Sequence, residues 1–99
     1  MKTAILNIGQ IISGNWRYPI TPGNSILLEG ERIYQVGEVT GSDIDDSDVI
    51  IDAAGSVAVP GLIDSHVHIT FGDYTPRQNT MGYLHSYLHG GVTTSISAS

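Results

Sequence analysis

What most constrains the fold of this chain is a change of texture at Pro60. Downstream of it, GLIDSHVHI (61–69) is an almost continuous apolar run, the kind found in a strand buried on both faces of a parallel sheet. The next segment, TPRQNTMGYLHSYLHGG, follows a helical period. Thr75 suits the N-cap, Pro76 the first helical position and Gly90 the C-terminal cap. Met81, Leu84 and Leu88, with Tyr87 flanking, fall on one stripe that a helix would bury. The closing VTTSISAS is β-rich again, and strand, helix, strand at this spacing is one βαβ unit. A doubly buried strand needs neighbours and covering helices that a single βαβ unit does not supply. The chain therefore reads as the beginning of a larger α/β structure.

The segment before Pro60 has a different grammar. TAILNIGQIIS reads as two short strands meeting at a bend or bulge, and NWRYPITPGN, with two prolines, as a loop. SILLEGERIYQVGEV reads as a hairpin turning at Glu29-Gly30-Glu31, and VIIDAAGSVAVPG as two more strands turning at Ala54-Gly55. Between them, TGSDIDDSD gathers four acids in a polar stretch. It lacks the spacing of an EF-hand and reads as a solvated loop. These patterns divide the chain into residues 1–58, all short strands, and 59–99, the start of the α/β part.

Charge narrows the partners. The formal net charge is -6, and the four basic residues, Lys2, Arg17, Arg32 and Arg77, are scattered, so no cluster is available to neutralise phosphates and nucleic acid is not an expected partner. Asn7, Gly9 and Gln10 interrupt the first apolar run, and nothing approaches the ~20 apolar residues of a membrane span. With no cysteine, the expectation is a soluble cytoplasmic protein whose core rests on packing.

Two of the four histidines, His66 and His68, end the apolar strand. Residues two apart on a strand share a face, ~6.6 Å apart along it, so both imidazoles can turn toward one point. Neutral imidazole is a common ligand of zinc and other divalent first-row metals. The C-terminal ends of parallel strands are where α/β proteins build their sites. By the same period Asp64 shares the histidine face, where it can orient a ligand or serve a purely structural hydrogen bond.

With these residues in view, VPGLIDSHVH (59–68) resembles the signature of the metal-dependent amidohydrolase superfamily. The longer pattern GDYTPRQNTMGYLHSYLHGGVTTSISA is similar to the enamidase branch of that superfamily, which hydrolyses a ring amide. The resemblance implies an α/β fold: the N-terminal strands of a composite β-sandwich, then the first β-α-β elements of a TIM-type (β/α)₈ barrel. It implies His66 and His68 as paired ligands of a divalent metal, zinc foremost, with iron or manganese as alternatives. It further implies a small cyclic amide as substrate and a homo-oligomer as the full-length enzyme. The remaining ligands and the proton-handling acid would come from later strands of a barrel of ~250 residues, so the 99 residues alone are expected to be inactive.

Other candidates have simpler readings beside them. Arg77, just past the strand, can pair with a substrate carboxylate or bridge to Asp73. Asp73 and Tyr74 share that loop. His85 and His89 are four apart, a spacing that can grip one metal, but they lack an HExxH context and read as helix-surface residues. Trp16 and Tyr18 around Arg17 read as a packed loop. The alternative function is a non-catalytic product, at most a weak metal binder or an assembly module.

Overall fold

A computed structural model describes residues 1–68 and 80–97 of the chain. They fall into two compact units, Met1–Pro60 and Gly61–Ser99.

In the first unit, β1 (Lys2–Leu6) leaves one sheet and continues as β2 (Gln10–Ile12) in another. β3 (Ile20–Thr21) pairs antiparallel with β2. β4 (Ser25–Glu29) and β5 (Arg32–Gly37) form the expected hairpin, and β4 also lies antiparallel to β1. Gly30 has a φ of 60° and Glu31 a negative one, the combination of a II′ turn, whose twist matches that of the flanking strands. β6 (Val49–Asp52) then runs parallel to β1, and β7 (Val57–Ala58) parallel to β2. The sheet orders are β5-β4-β1-β6 and β3-β2-β7.

Two segments thus change sheets side by side, and their corner is tied at each step. Ala53 N–H donates to the Leu6 carbonyl at 2.8 Å, Gly55 N–H to that of Asn7 at 2.7 Å, and Gly9 N–H to that of Ser56 at 2.9 Å. Asn7 takes a φ of 58°, and its side-chain amide donates to Asp52 Oδ1 at 3.0 Å. The same oxygen accepts from Ala54 N–H at 2.8 Å. These bonds, Asn7's first, hold the Asp52 carboxyl below its ordinary range. Ala54 (φ 50°) and Gly55 (φ 81°) are both left-handed, and Ser56 N–H closes onto the Ala53 carbonyl at 2.9 Å, the arrangement of a type I′ turn.

The core of this unit is small. Ala4 and Leu27, partners across β1 and β4, are fully buried, with Ile8 and Ile11 beside them. Ser25 is buried too, donating to the Gly37 carbonyl at 3.1 Å and accepting from Val39 N–H at 3.0 Å, so its hydroxyl is satisfied. Ile11, Thr21, Ile26, Ile33, Val36 and Ala58 line an apolar groove of about 370 Å³.

Three expectations need correction here. The acidic stretch forms a short helix, α1 (Gly41–Asp45), rather than a loop. Thr40 caps it, its Oγ1 accepting from Asp43 N–H at 3.2 Å, and the acid in the first turn suits the helix dipole. Lys2 Nζ reaches Asp46 at 3.2 Å and Asp43 at 3.6 Å, partly offsetting the charge. The loop before β4 contains β3, because Ile20 and Thr21 find β2 as a partner. Trp16 (82% exposed) and Tyr18 (74%) are not packed. Their loop is held by polar bonds instead: Ser13 Oγ donates to the Tyr18 carbonyl at 2.6 Å, and Arg17 N–H to Asn15 Oδ1 at 3.0 Å.

The second unit has β8 (Leu62–Val67), α2 (Thr80–His89) and β9 (Val92–Ser97). β8 and β9 are parallel, as a βαβ unit requires. Gly61 opens β8 where a Cβ would lie 2.0 Å from Thr93 Oγ1, so only glycine fits there without moving β9. The described helix ends before Gly90, and the left-handed residue is Gly91 (φ 94°), one later than expected; Gly91 N–H closes onto the Leu88 carbonyl at 3.0 Å. The expected N-cap, Thr75, and Pro76 lie outside the described residues.

β8 does not show the double burial its apolar run suggests. Leu62 and Ile63 are 55% and 68% exposed, and Val67 alone of its residues is buried. On α2, Met81 and Leu88 are exposed, whereas Tyr83 and Tyr87 are half-buried. The reason is the same for strand and helix: a two-stranded sheet with one helix covers little of either face. No helix among the described residues is long and apolar enough to cross a membrane.

Candidate metal centre

The site grows from an irregularity in β8. Asp64 pairs with Ser95 and Val67 with Ser97, three steps on one strand against two on the other. β8 therefore carries one extra residue at Ser65-His66, a bulge, which interrupts the alternation of side chains and re-aims them. Period two alone does not place Asp64 with the histidines, because the interruption lies between them.

His66, in the bulge, and His68, just past it, come together. Their ring centroids are 5.2 Å apart and their planes meet at 74°. Both residues are exposed. Edge-to-face imidazoles at this separation suit two ligands of one metal, which fixes only part of a coordination shell. Among the described residues, no group of three or more His, Cys, Asp or Glu side chains gathers closely enough to hold a metal ion. Two imidazoles are chemically suited to a divalent metal, but as a pair they fall short of the three protein ligands of a catalytic zinc.

Asp64 is half-buried and engaged on both carboxylate oxygens. Oδ1 accepts from the backbone N–H of His66 at 3.2 Å, and Oδ2 accepts from the hydroxyl of Tyr87 at 2.9 Å. Tyr87 in turn lies against Tyr83, ring centroids 4.4 Å apart. Hydrogen bonding to Tyr83, and then to Asp64, pushes the Tyr87 phenol far above its ordinary range. In the sequence, Tyr87 only flanks an apolar stripe. The signal that singles it out is a pair of tyrosines four apart among leucines, since a half-buried phenol needs a polar partner.

The other candidates separate. His85 and His89 are exposed on α2. Arg77, Asp73 and Tyr74 lie outside the described residues. Arg17 stands 5.0 Å over the Trp16 ring, an exposed cation–π contact. Leu84, Tyr87 and Leu88 of α2 line a cavity of about 370 Å³ with Val92, Thr93 and Ser95 of β9.

No protein-family model matches the chain. Among curated proteins, it is 51% identical over 98 residues to the enamidase of Eubacterium barkeri, covering 98% of this chain and 25% of that protein. It is 34% identical over 98 residues to the imidazolonepropionase of Paenarthrobacter aurescens (strain TC1), covering 98% of this chain and 24% of that one. Among solved structures, the crystal structure of enamidase, described as a member of the amidohydrolase superfamily, superposes with a TM-score of 0.79 at 49% identity over 99% of this chain and 26% of that one. A Xaa-Pro dipeptidase shares the fold at a TM-score of 0.67 and 21% identity over 98% of this chain and 26% of that one. The chain spans about a quarter of the length of the relatives it matches. By a likeness that runs through both of its units, it belongs to the amidohydrolase superfamily.

Proposed function

We propose that this chain is the N-terminal part of a metal-dependent hydrolase that opens a C–N bond of a cyclic amide, and that it supplies the first two metal ligands. The observation that carries this reading is the pairing of His66 and His68, 5.2 Å apart at the end of a parallel strand. The 51% identity to an enamidase supports the substrate class.

His66 and His68 would hold a divalent metal, zinc foremost, each through one ring nitrogen. Such a metal, when bound, supplies Lewis acidity toward the amide carbonyl and lowers the pKa of water. The exposed faces of both imidazoles leave room for further ligands and for substrate. Asp64, held from both sides, fixes the backbone from which His66 projects. Arg77 and Asp73 are assigned to substrate, Arg77 by pairing with an anionic group.

The test is made on the product of the whole reading frame. Its metal content is measured, and it is assayed on six-membered cyclic amides with and without a carboxylate. The His66→Ala/His68→Ala double variant should lose metal and fall to the background rate. Retention of metal and rate would overturn the reading. Arg77→Ala should weaken binding of carboxylate-bearing amides far more than that of uncharged ones.

A further inference from the structure

We propose that Tyr87 is a positioning residue for the His66–His68 pair, acting from α2 through the Asp64 carboxylate. The inference rests on the paired-ligand reading above and adds to it a part of the molecule that no ligand pattern includes.

A regular parallel strand would hold His66 N–H in the ladder with its neighbour, and period two would then fix where the imidazole points. Here the ladder is interrupted between Asp64 and Val67. The His66 N–H donates instead to Asp64 Oδ1, two residues back, at 3.2 Å. That is an Asx-type bond, a local alternative to sheet pairing. Between the β9 pairings of Asp64 and Val67, the Asp64 side chain thus supplies the bond to the His66 backbone from which the imidazole leaves the strand.

An aspartate can fix this direction only if its own torsions are fixed. The His66 N–H holds one oxygen of Asp64, and Tyr87 holds the other: the phenol donates to Oδ2 at 2.9 Å from the adjacent helix. A hydrogen bond to a charged carboxylate is stronger than a neutral one. Tyr87 is itself braced by the Tyr83 ring, one helical turn earlier. The chain of contact runs from α2 through one phenol and one carboxylate to the amide of the first ligand, and His68 follows His66 at 5.2 Å. Two ligands bind one metal well when their relative orientation is set before the metal arrives, and partners behind the ligands supply that order.

The experiment uses the product of the whole reading frame, prepared without metal. Cobalt(II) affinity is measured by competition with a chromophoric chelator, and the ligand-field spectrum of the cobalt form is recorded. Tyr87→Phe removes the hydroxyl and keeps the ring. Asp64→Asn keeps the shape and removes the charge, and decides the matter if Tyr87→Phe does not fold. Each should weaken cobalt binding by roughly 10- to 100-fold and shift the ligand-field bands, while far-ultraviolet circular dichroism stays that of the wild type. A variant that melts earlier but binds cobalt with unchanged affinity and spectrum would overturn the positioning role and leave a purely structural bond. The His66→Ala/His68→Ala variant separates the two failures. Loss of metal there, with unchanged binding in Tyr87→Phe and Asp64→Asn, sinks this inference alone. Wild-type metal binding in the double variant sinks the ligand reading and this inference with it.

Discussion

Tyr87 of α2 donates its hydroxyl to Asp64 of β8 at 2.9 Å, across 23 positions of sequence. This bond joins the helix to the strand that carries the paired histidines and, second to hydrogen bonding with Tyr83, pushes the Tyr87 phenol above its ordinary range.

In an alkaline titration followed by tyrosinate absorbance, one tyrosine should stay protonated well above the ordinary value of 10.0. Tyr87→Phe should remove that late component. A folded pKa above the unfolded one means that the folded state binds the proton more tightly. The contribution to stability is thus complete below about pH 10 and is lost as pH rises beyond it. Asp52 behaves in the opposite sense. Its folded pKa lies below the ordinary 3.8, so its contribution is present above that value and is lost as pH falls toward the folded pKa. Denaturant midpoints across both ranges check the two signs.

Ala54 holds a φ of 50°, a conformation that costs an L-residue with a Cβ roughly 1–2 kcal/mol. Asparagine tolerates it better and precedes glycine in favoured type I′ turns. Ala54→Asn should therefore raise the stability of the full-length protein, by about 0.5–1 kcal/mol, read as a higher denaturation midpoint. An unchanged or lower midpoint would show that the corner bonds of Asn7 and Asp52 already absorb the strain.

Leu27 is fully buried opposite Ala4. Leu27→Ala should leave a cavity that the two-residue contact cannot refill, costing about 2–4 kcal/mol. Chemical denaturation measures the loss, and a cost below that of an exposed leucine would mean that this core is not the one that holds the unit.

Residues 1–99 expressed alone should not hydrolyse cyclic amides even with added zinc, because two ligands leave a catalytic zinc short of its usual three. They should also self-associate. Ile33, Ile50, Leu62, Ile63 and Ile96 are all more than half exposed, and apolar surface of that extent drives association. Light scattering and an activity assay test both statements; a monomer that turns over substrate would reverse them.

What the sequence determined by itself was local. The hairpin at Gly30, the turn at Ala54-Gly55 and the strand-helix-strand order after Pro60 follow from residue type and period, because glycine, proline and apolar spacing act over a few residues. The spacing of His66 and His68 set them on one face for the same reason. The pairing of strands was decided only in three dimensions. β1 with β6 and β2 with β7 lie parallel across more than 40 positions, and no local pattern encodes which distant edge a strand will meet. The short helix at Thr40 and the small strand at Ile20 depended on a cap and a partner that composition does not count. The bulge in β8 and the bond from Tyr87 to Asp64 were likewise settled by tertiary structure, because an extra residue in a ladder and a hydroxyl meeting a carboxylate exist only once helix and strand are packed.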